Sequence, residues 1–111
     1  MLEAPNVLHR LMHSIEARKN AEAKDSYVAS VLARGVDHAL KKVGEEATEF
    51  CLAAKAASLG YEREAMVKEA ADLWFHTMIA LAQQGLSLAD LEQELARREG
   101  VSGHTEKASR S

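Results

Sequence analysis

Five carboxylates near the middle of the chain are the residues best placed to do chemistry. Glu45, Glu46 and Glu49 stand at i, i+1 and i+4; Glu69 and Asp72 stand at i and i+3. If both segments are helical, the trio spans an arc of about 100° on one helix, and the pair shares a face of the other. Gly60 lies roughly midway between Glu49 and Glu69, so an antiparallel hairpin bent there brings the two clusters level. Two like unit charges about 6 Å apart repel by about 3 kcal/mol at an effective dielectric of about 20, so gathered carboxylates call for a cation. All-oxygen donors suit a hard ion, Mg²⁺ with Mn²⁺ as a substitute, rather than Zn²⁺. Mg²⁺ keeps several waters and takes phosphate oxygens as further ligands. The expected chemistry is cleavage of a phosphoanhydride by an activated water. Glu45, Glu46, Glu49, Glu69 and Asp72 are its candidate metal ligands. As a solvated helix face, the first trio alone would need no metal. Asp72 is harder to explain that way, because it lies inside the apolar run 70–82, where an unpaired carboxylate is costly.

Positioning these residues takes long helices. One proline and six glycines in 111 residues leave few breakers. Val7, Leu8, Leu11, Met12 and Ile15 mark a first helix over about 7–19, and a polar loop over 20–25 follows. Asp25 or Ser26 caps a short second helix over 27–33, which Gly35 ends. The third helix spans about 36–59, with Val36, Leu40, Val43, Ala47, Phe50 and Ala54 as its packing stripe. Gly44 interrupts this stripe and would let another backbone or a ligand come close. The fourth helix spans about 62–84 between Gly60 and Gly85. Ser87 and Asp90 form a capping-box-like start to a fifth, whose stripe is Leu88, Leu91 and Leu95. The fold class is therefore all-α, with about five helices over residues 1–99 and a polar tail over 100–111. The fourth helix is apolar nearly all round, with Ala70, Trp74, Met78 and Leu81 on one side and Leu73, Ile79 and Ala80 on the other, and predicts burial on every side; Trp74, Phe75 and Met78 read as core. A single chain of this length can hardly provide that, so the helix-bundle core is expected to be completed by homodimerisation.

Composition narrows the function. A net charge of −3, from 14 basic and 17 acidic residues, does not favour nucleic acid as a partner. No run is long and apolar enough for a membrane span, and the N-terminus lacks the apolar core of a secretory signal. The single cysteine, Cys51, cannot form an intrachain disulfide, reads as a small buried hydrophobe, and suits a reducing cytoplasm. His9 and His13, at i and i+4, imitate a metal pair and are expected to be ordinary surface residues. His76, one turn past Asp72, is expected to be a hydrogen-bonded buried histidine.

Glu45-Glu46-Ala47-Thr48-Glu49, then 19 residues, then Glu69-Ala70-Ala71-Asp72, resembles the EExxE…ExxD motif of the all-α MazG-like nucleotide pyrophosphohydrolases. Within that group, Ser26-Tyr27-Val28-Ala29-Ser30, Ala33-Arg34-Gly35 and Lys42-Val43-Gly44-Glu45-Glu46 resemble the phosphoribosyl-ATP pyrophosphohydrolases of histidine biosynthesis. The similarity runs from about Val7 to Arg98. It implies Mg²⁺-dependent hydrolysis of phosphoribosyl-ATP to phosphoribosyl-AMP and pyrophosphate. The cyclohydrolase domain to which many relatives are fused is expected on a separate polypeptide. Glu45, Glu46 and Glu49 are then the catalytic carboxylates, with Glu45 a ligand or the base that orients water. Lys42, Arg34, Ser26 and Tyr27 are the candidate substrate-binding residues. Each has a plainer role: Lys42 an ion pair with Glu46, Arg34 a solvated cation, Ser26 and Tyr27 helix capping. The rival functions are a house-cleaning nucleoside triphosphate pyrophosphohydrolase and a non-enzymatic helical interaction module.

Overall fold

A computed structural model describes residues 6–101. Among them are five α-helices: α1 (Val7–Ala17), α2 (Tyr27–Ala33), α3 (Val36–Ser58), α4 (Arg63–Gln83) and α5 (Leu88–Arg98). The expected all-α fold is observed. The expected polar tail lies, from residue 102 on, outside the described residues. The loop after α1 holds one short 3₁₀ turn, Ala23–Asp25, which apolar periodicity gave no reason to expect.

Local capping chemistry sets most helix ends. Asn6 Oδ1 accepts the His9 N–H at 3.0 Å and starts α1. Of the two candidates for α2, Ser26 is the cap, its hydroxyl accepting the Ala29 N–H at 3.2 Å. At α5 the Asp90 carboxylate takes the Ser87 N–H at 2.9 Å. α3 stops in a Schellman motif: Gly60 N–H reaches Ala57 O at 3.1 Å and Tyr61 N–H reaches Ala56 O at 3.1 Å. That motif needs a left-handed residue, and Gly60 supplies it at φ 92°. The resulting reversal lays α4 back along α3, and this hairpin is the frame of the molecule.

α1 packs on α4, α5 on α1, and α2 bridges α3 and α4. The core gathers Met12 and Ile15 of α1, Val28 and Val31 of α2, Ala39 of α3, and Met78, Ile79 and Ala82 of α4. His9 Nε2 meets Glu92 Oε2 at 3.0 Å and ties α1 to α5 at the surface. Two expectations about burial are corrected. Val36 and Leu40 are exposed, and the buried α3 positions are Ala39 and Glu46. Cys51 is exposed, not buried. In the single chain Trp74 is 56% exposed and Val67 70%, so the described residues cover α4 on one side only, and the burial expected of its other side would come from a second copy. Among the described residues a Cβ on Gly44 would meet nothing within 4 Å, which leaves room there for a ligand or a second copy. The shared reason is that one copy of the hairpin has other helices against only part of its circumference. None of the described helices is long and apolar enough to cross a membrane.

Candidate metal centre

α3 and α4 supply the carboxylates, and the reversal at Gly60 brings them level. One oxygen each from Glu46, Glu49 and Glu69 lie within 4.8 Å of one another. Glu46 is buried, Glu69 half-buried and Glu49 exposed, so the group opens to solvent at Glu49. Among the described residues, Glu46 Oε2 and Glu69 Oε2 are both shielded from water and lack any hydrogen-bond partner. Polar atoms left that way are costly, and a bound cation would satisfy both. Three converging acidic oxygens are the donor set of a hard divalent ion.

The electrostatics agree with the geometry. Burial raises the Glu46 carboxyl above its ordinary range, and the charges of Glu49 and Asp72 push it further, against His76 and Lys42. Burial likewise raises Glu69, followed by the charge and close approach of the Glu49 carboxyl and then by the charges of Asp72 and Glu46. Asp72 therefore acts on both groups while standing outside the closest three. Glu45 also stands outside. Its carboxylate meets Lys42 Nζ at 3.3 Å and Lys41 Nζ at 3.9 Å. Lys42 lies 3.9 Å from Glu46 Oε1 as well. The Glu45 hydrogen bond raises Lys42, opposed by burial and reinforced by the charges around it.

These shifts fix a sign for the pH dependence of the metal-free protein. A carboxyl raised in the folded state binds its proton more tightly there than in the unfolded chain. Stability from Glu46 and Glu69 is therefore full below their ordinary pKa of 4.5 and declines as pH rises through the elevated folded values. In EDTA, Glu46→Gln and Glu69→Gln are expected to gain melting temperature over wild type at pH 7 but not at pH 4, as circular-dichroism melts would read. An equal gain at both pH values would contradict the shifts.

A cationic rim adjoins the carboxylates. Arg34 caps the C-terminus of α2 and is exposed. His38, half-buried, is held below its ordinary range by burial and then by the charges of Arg34, Lys42 and Lys41. Arg34 and Lys42, both singled out by sequence, thus both act on His38. His38 and Lys41 were missed although 38, 41 and 42 share a face of α3 at i, i+3 and i+4. Tyr27 is at the edge of the site as well. Its hydroxyl lies 2.7 Å from His76 Nε2, and its ring stacks on Phe75 at a centroid distance of 6.1 Å. Ser26 serves as the α2 cap described above.

Residues 8–99 match the family model described as phosphoribosyl-ATP pyrophosphohydrolase. The chain is 51% identical over 106 residues to a phosphoribosyl-ATP pyrophosphatase of Hydrogenovibrio crunogenus, an alignment covering 96% of this chain and 94% of that protein. A phosphoribosyl-ATP pyrophosphatase of Methylococcus capsulatus is 52% identical over 105 residues, covering 95% and 96%. One from an Acidovorax species is 55% identical over 108 residues, covering 95% and 82%.

Proposed function

The chain belongs to the phosphoribosyl-ATP pyrophosphohydrolase family, and from that premise we propose that it hydrolyses phosphoribosyl-ATP to phosphoribosyl-AMP and pyrophosphate, the second step of histidine biosynthesis, with Mg²⁺ as cofactor. Membership sets aside the non-enzymatic helical module. The observation that carries the metal reading is the pair of partnerless buried oxygens on Glu46 and Glu69, beside Glu49. Glu46, Glu49 and Glu69 would hold the ion, with Asp72 next to them. Mg²⁺ or Mn²⁺ bound there offsets the carboxylate charge, takes phosphate oxygens and supplies an activated water.

The remaining roles follow from the rim. Lys42 and Arg34, which both act on His38, bind the substrate's phosphates. Glu45 pairs with Lys41 and Lys42 in the free protein. Phosphate arriving at Lys42 releases Glu45 to serve as a further ligand or as the base that orients water. Ser26 and Tyr27 bring the start of α2 to the substrate. A second copy of the chain covers the exposed side of α4. A cytoplasmic setting suits the lone, exposed Cys51 thiol.

Pyrophosphate release from phosphoribosyl-ATP, measured beside a panel of ordinary and damaged nucleoside triphosphates, tests this reading. Turnover is expected with phosphoribosyl-ATP and Mg²⁺, and none in EDTA. Preference for a triphosphate on the panel would move the chain to the house-cleaning activity. Undiminished turnover in EDTA would remove the metal.

A further inference from the structure

His76 is a buried polar residue that none of the roles above uses. It is 6% exposed and sits one turn past Asp72 on α4. Its ring makes two directed hydrogen bonds. Nδ1 lies 2.8 Å from the main-chain carbonyl of Asp72, and Nε2 lies 2.7 Å from the Tyr27 hydroxyl, 49 residues away in sequence. A carbonyl only accepts, so Nδ1 carries the ring hydrogen. In the neutral imidazole Nε2 is then the acceptor, and Tyr27 donates to it. The chain of bonds runs in one direction, from Tyr27 on α2 through His76 to the backbone of α4 at Asp72.

Holding α2 against the hairpin does not require this arrangement. Val28 and Val31 already do so from the core, and an apolar residue in place of His76 would avoid the cost of burying an imidazole. A hydrogen bond, unlike an apolar contact, fixes direction and register. Tyr27 is also a poor core filler, since it is 51% exposed while its hydroxyl is held inside. Phe75 and His76 pack edge to face at 5.2 Å, which leaves the imidazole little freedom to turn.

We propose that His76 is a positioning residue that latches Tyr27 to the Asp72 carbonyl and so fixes the substrate-facing start of α2 relative to the carboxylate-bearing stretch of α4. The inference rests on the hydrolysis proposed above, in which substrate is held from both helices. Losing the latch weakens substrate binding and leaves the metal ligands in place.

Kinetics on phosphoribosyl-ATP with four variants test it. Tyr27→Phe removes the donor. His76→Asn keeps a donor for Asp72 O and loses the acceptor for Tyr27. His76→Gln places an acceptor near Nε2 and loses the inner donor. Tyr27→Phe and His76→Asn are each expected to raise KM about tenfold, with kcat and Mn²⁺ affinity within threefold of wild type. The double variant Tyr27→Phe/His76→Asn is expected to be no worse than either single one, and His76→Gln to recover part of the KM. A fall in melting temperature with KM unchanged would overturn the proposal, as would additive effects in the double variant or a parallel loss of Mn²⁺ affinity. The wild type in the same assay separates the two levels of claim. If it releases no pyrophosphate from phosphoribosyl-ATP, the functional reading falls and takes the latch with it. If it turns over and the variants match it, only the latch falls.

Discussion

Glu69→Gln is expected to lower Mg²⁺-dependent turnover of phosphoribosyl-ATP by about 10³-fold or more, a loss in line with the several kcal/mol a catalytic metal supplies, while leaving the metal-free protein at least as stable as wild type. The two halves of this result come from one geometry. Glu69 faces Glu46 and Glu49, with Oε2 shielded and unpartnered. Its neutral amide removes a ligand, so activity and metal-induced stabilisation are lost together. It also removes one of the crowded negative charges, so the unliganded fold gains. A cation that binds only the folded state raises the melting temperature with its concentration, and this rise should be present in wild type and absent in the variant. Glu49→Gln should behave alike, with a smaller gain in metal-free stability, because Glu49 is exposed. Calorimetric melts across a Mg²⁺ titration, paired with a pyrophosphate-release assay, read both halves. A variant that keeps its activity and its Mg²⁺-dependent melting shift would show that these carboxylates are a solvated face.

Much of this arrangement was legible in the chain because the signals are local. Ser26, Gly35, Gly60 and Ser87 place the helix ends within a residue or two, since a cap or a left-handed turn depends on a few neighbouring groups. The meeting of Glu46, Glu49 and Glu69 followed from an i,i+3 spacing on α3 and a reversal between the helices. What spacing could not resolve is which side of α3 faces α4. Glu45 and Glu46 differ by one residue, about 100° around the helix, and only packing turns Glu46 inward and leaves Glu45 to Lys41 and Lys42. The same uncertainty explains α3's apolar stripe. Periodicity picks large residues such as Leu40, whereas the position that fits against the neighbouring helices is Ala39 beside it, at 1% exposure. The Tyr27–His76 contact joins residues too distant in sequence for any spacing rule to pair.

Trp74→Glu is expected to convert a dimer, with about twice the 12.1 kDa mass of the chain, into a monomer that keeps its helical content. Trp74 and Val67 lie seven residues apart and so share a face of α4, and both are exposed in one copy. Trp74 also borders an apolar groove of about 300 Å³ between α4 and α5, whose other walls include Leu81, Leu91 and Leu95. Soluble monomers seldom leave so continuous an apolar surface in water. Burying the exposed half of a tryptophan contributes about 2–3 kcal/mol, and a twofold interface counts it twice. Losing roughly 5 kcal/mol weakens association by more than three decades, and a carboxylate in the same place adds the cost of burying a charge. On the helical wheel Trp74 stands away from Glu69 and Asp72, so the substitution leaves the carboxylates of the same chain untouched. Sedimentation equilibrium on wild type and variant, with circular dichroism to verify the fold, decides the question. A wild type that sediments as a monomer would mean that the apolar side of α4 is covered by something other than a second copy.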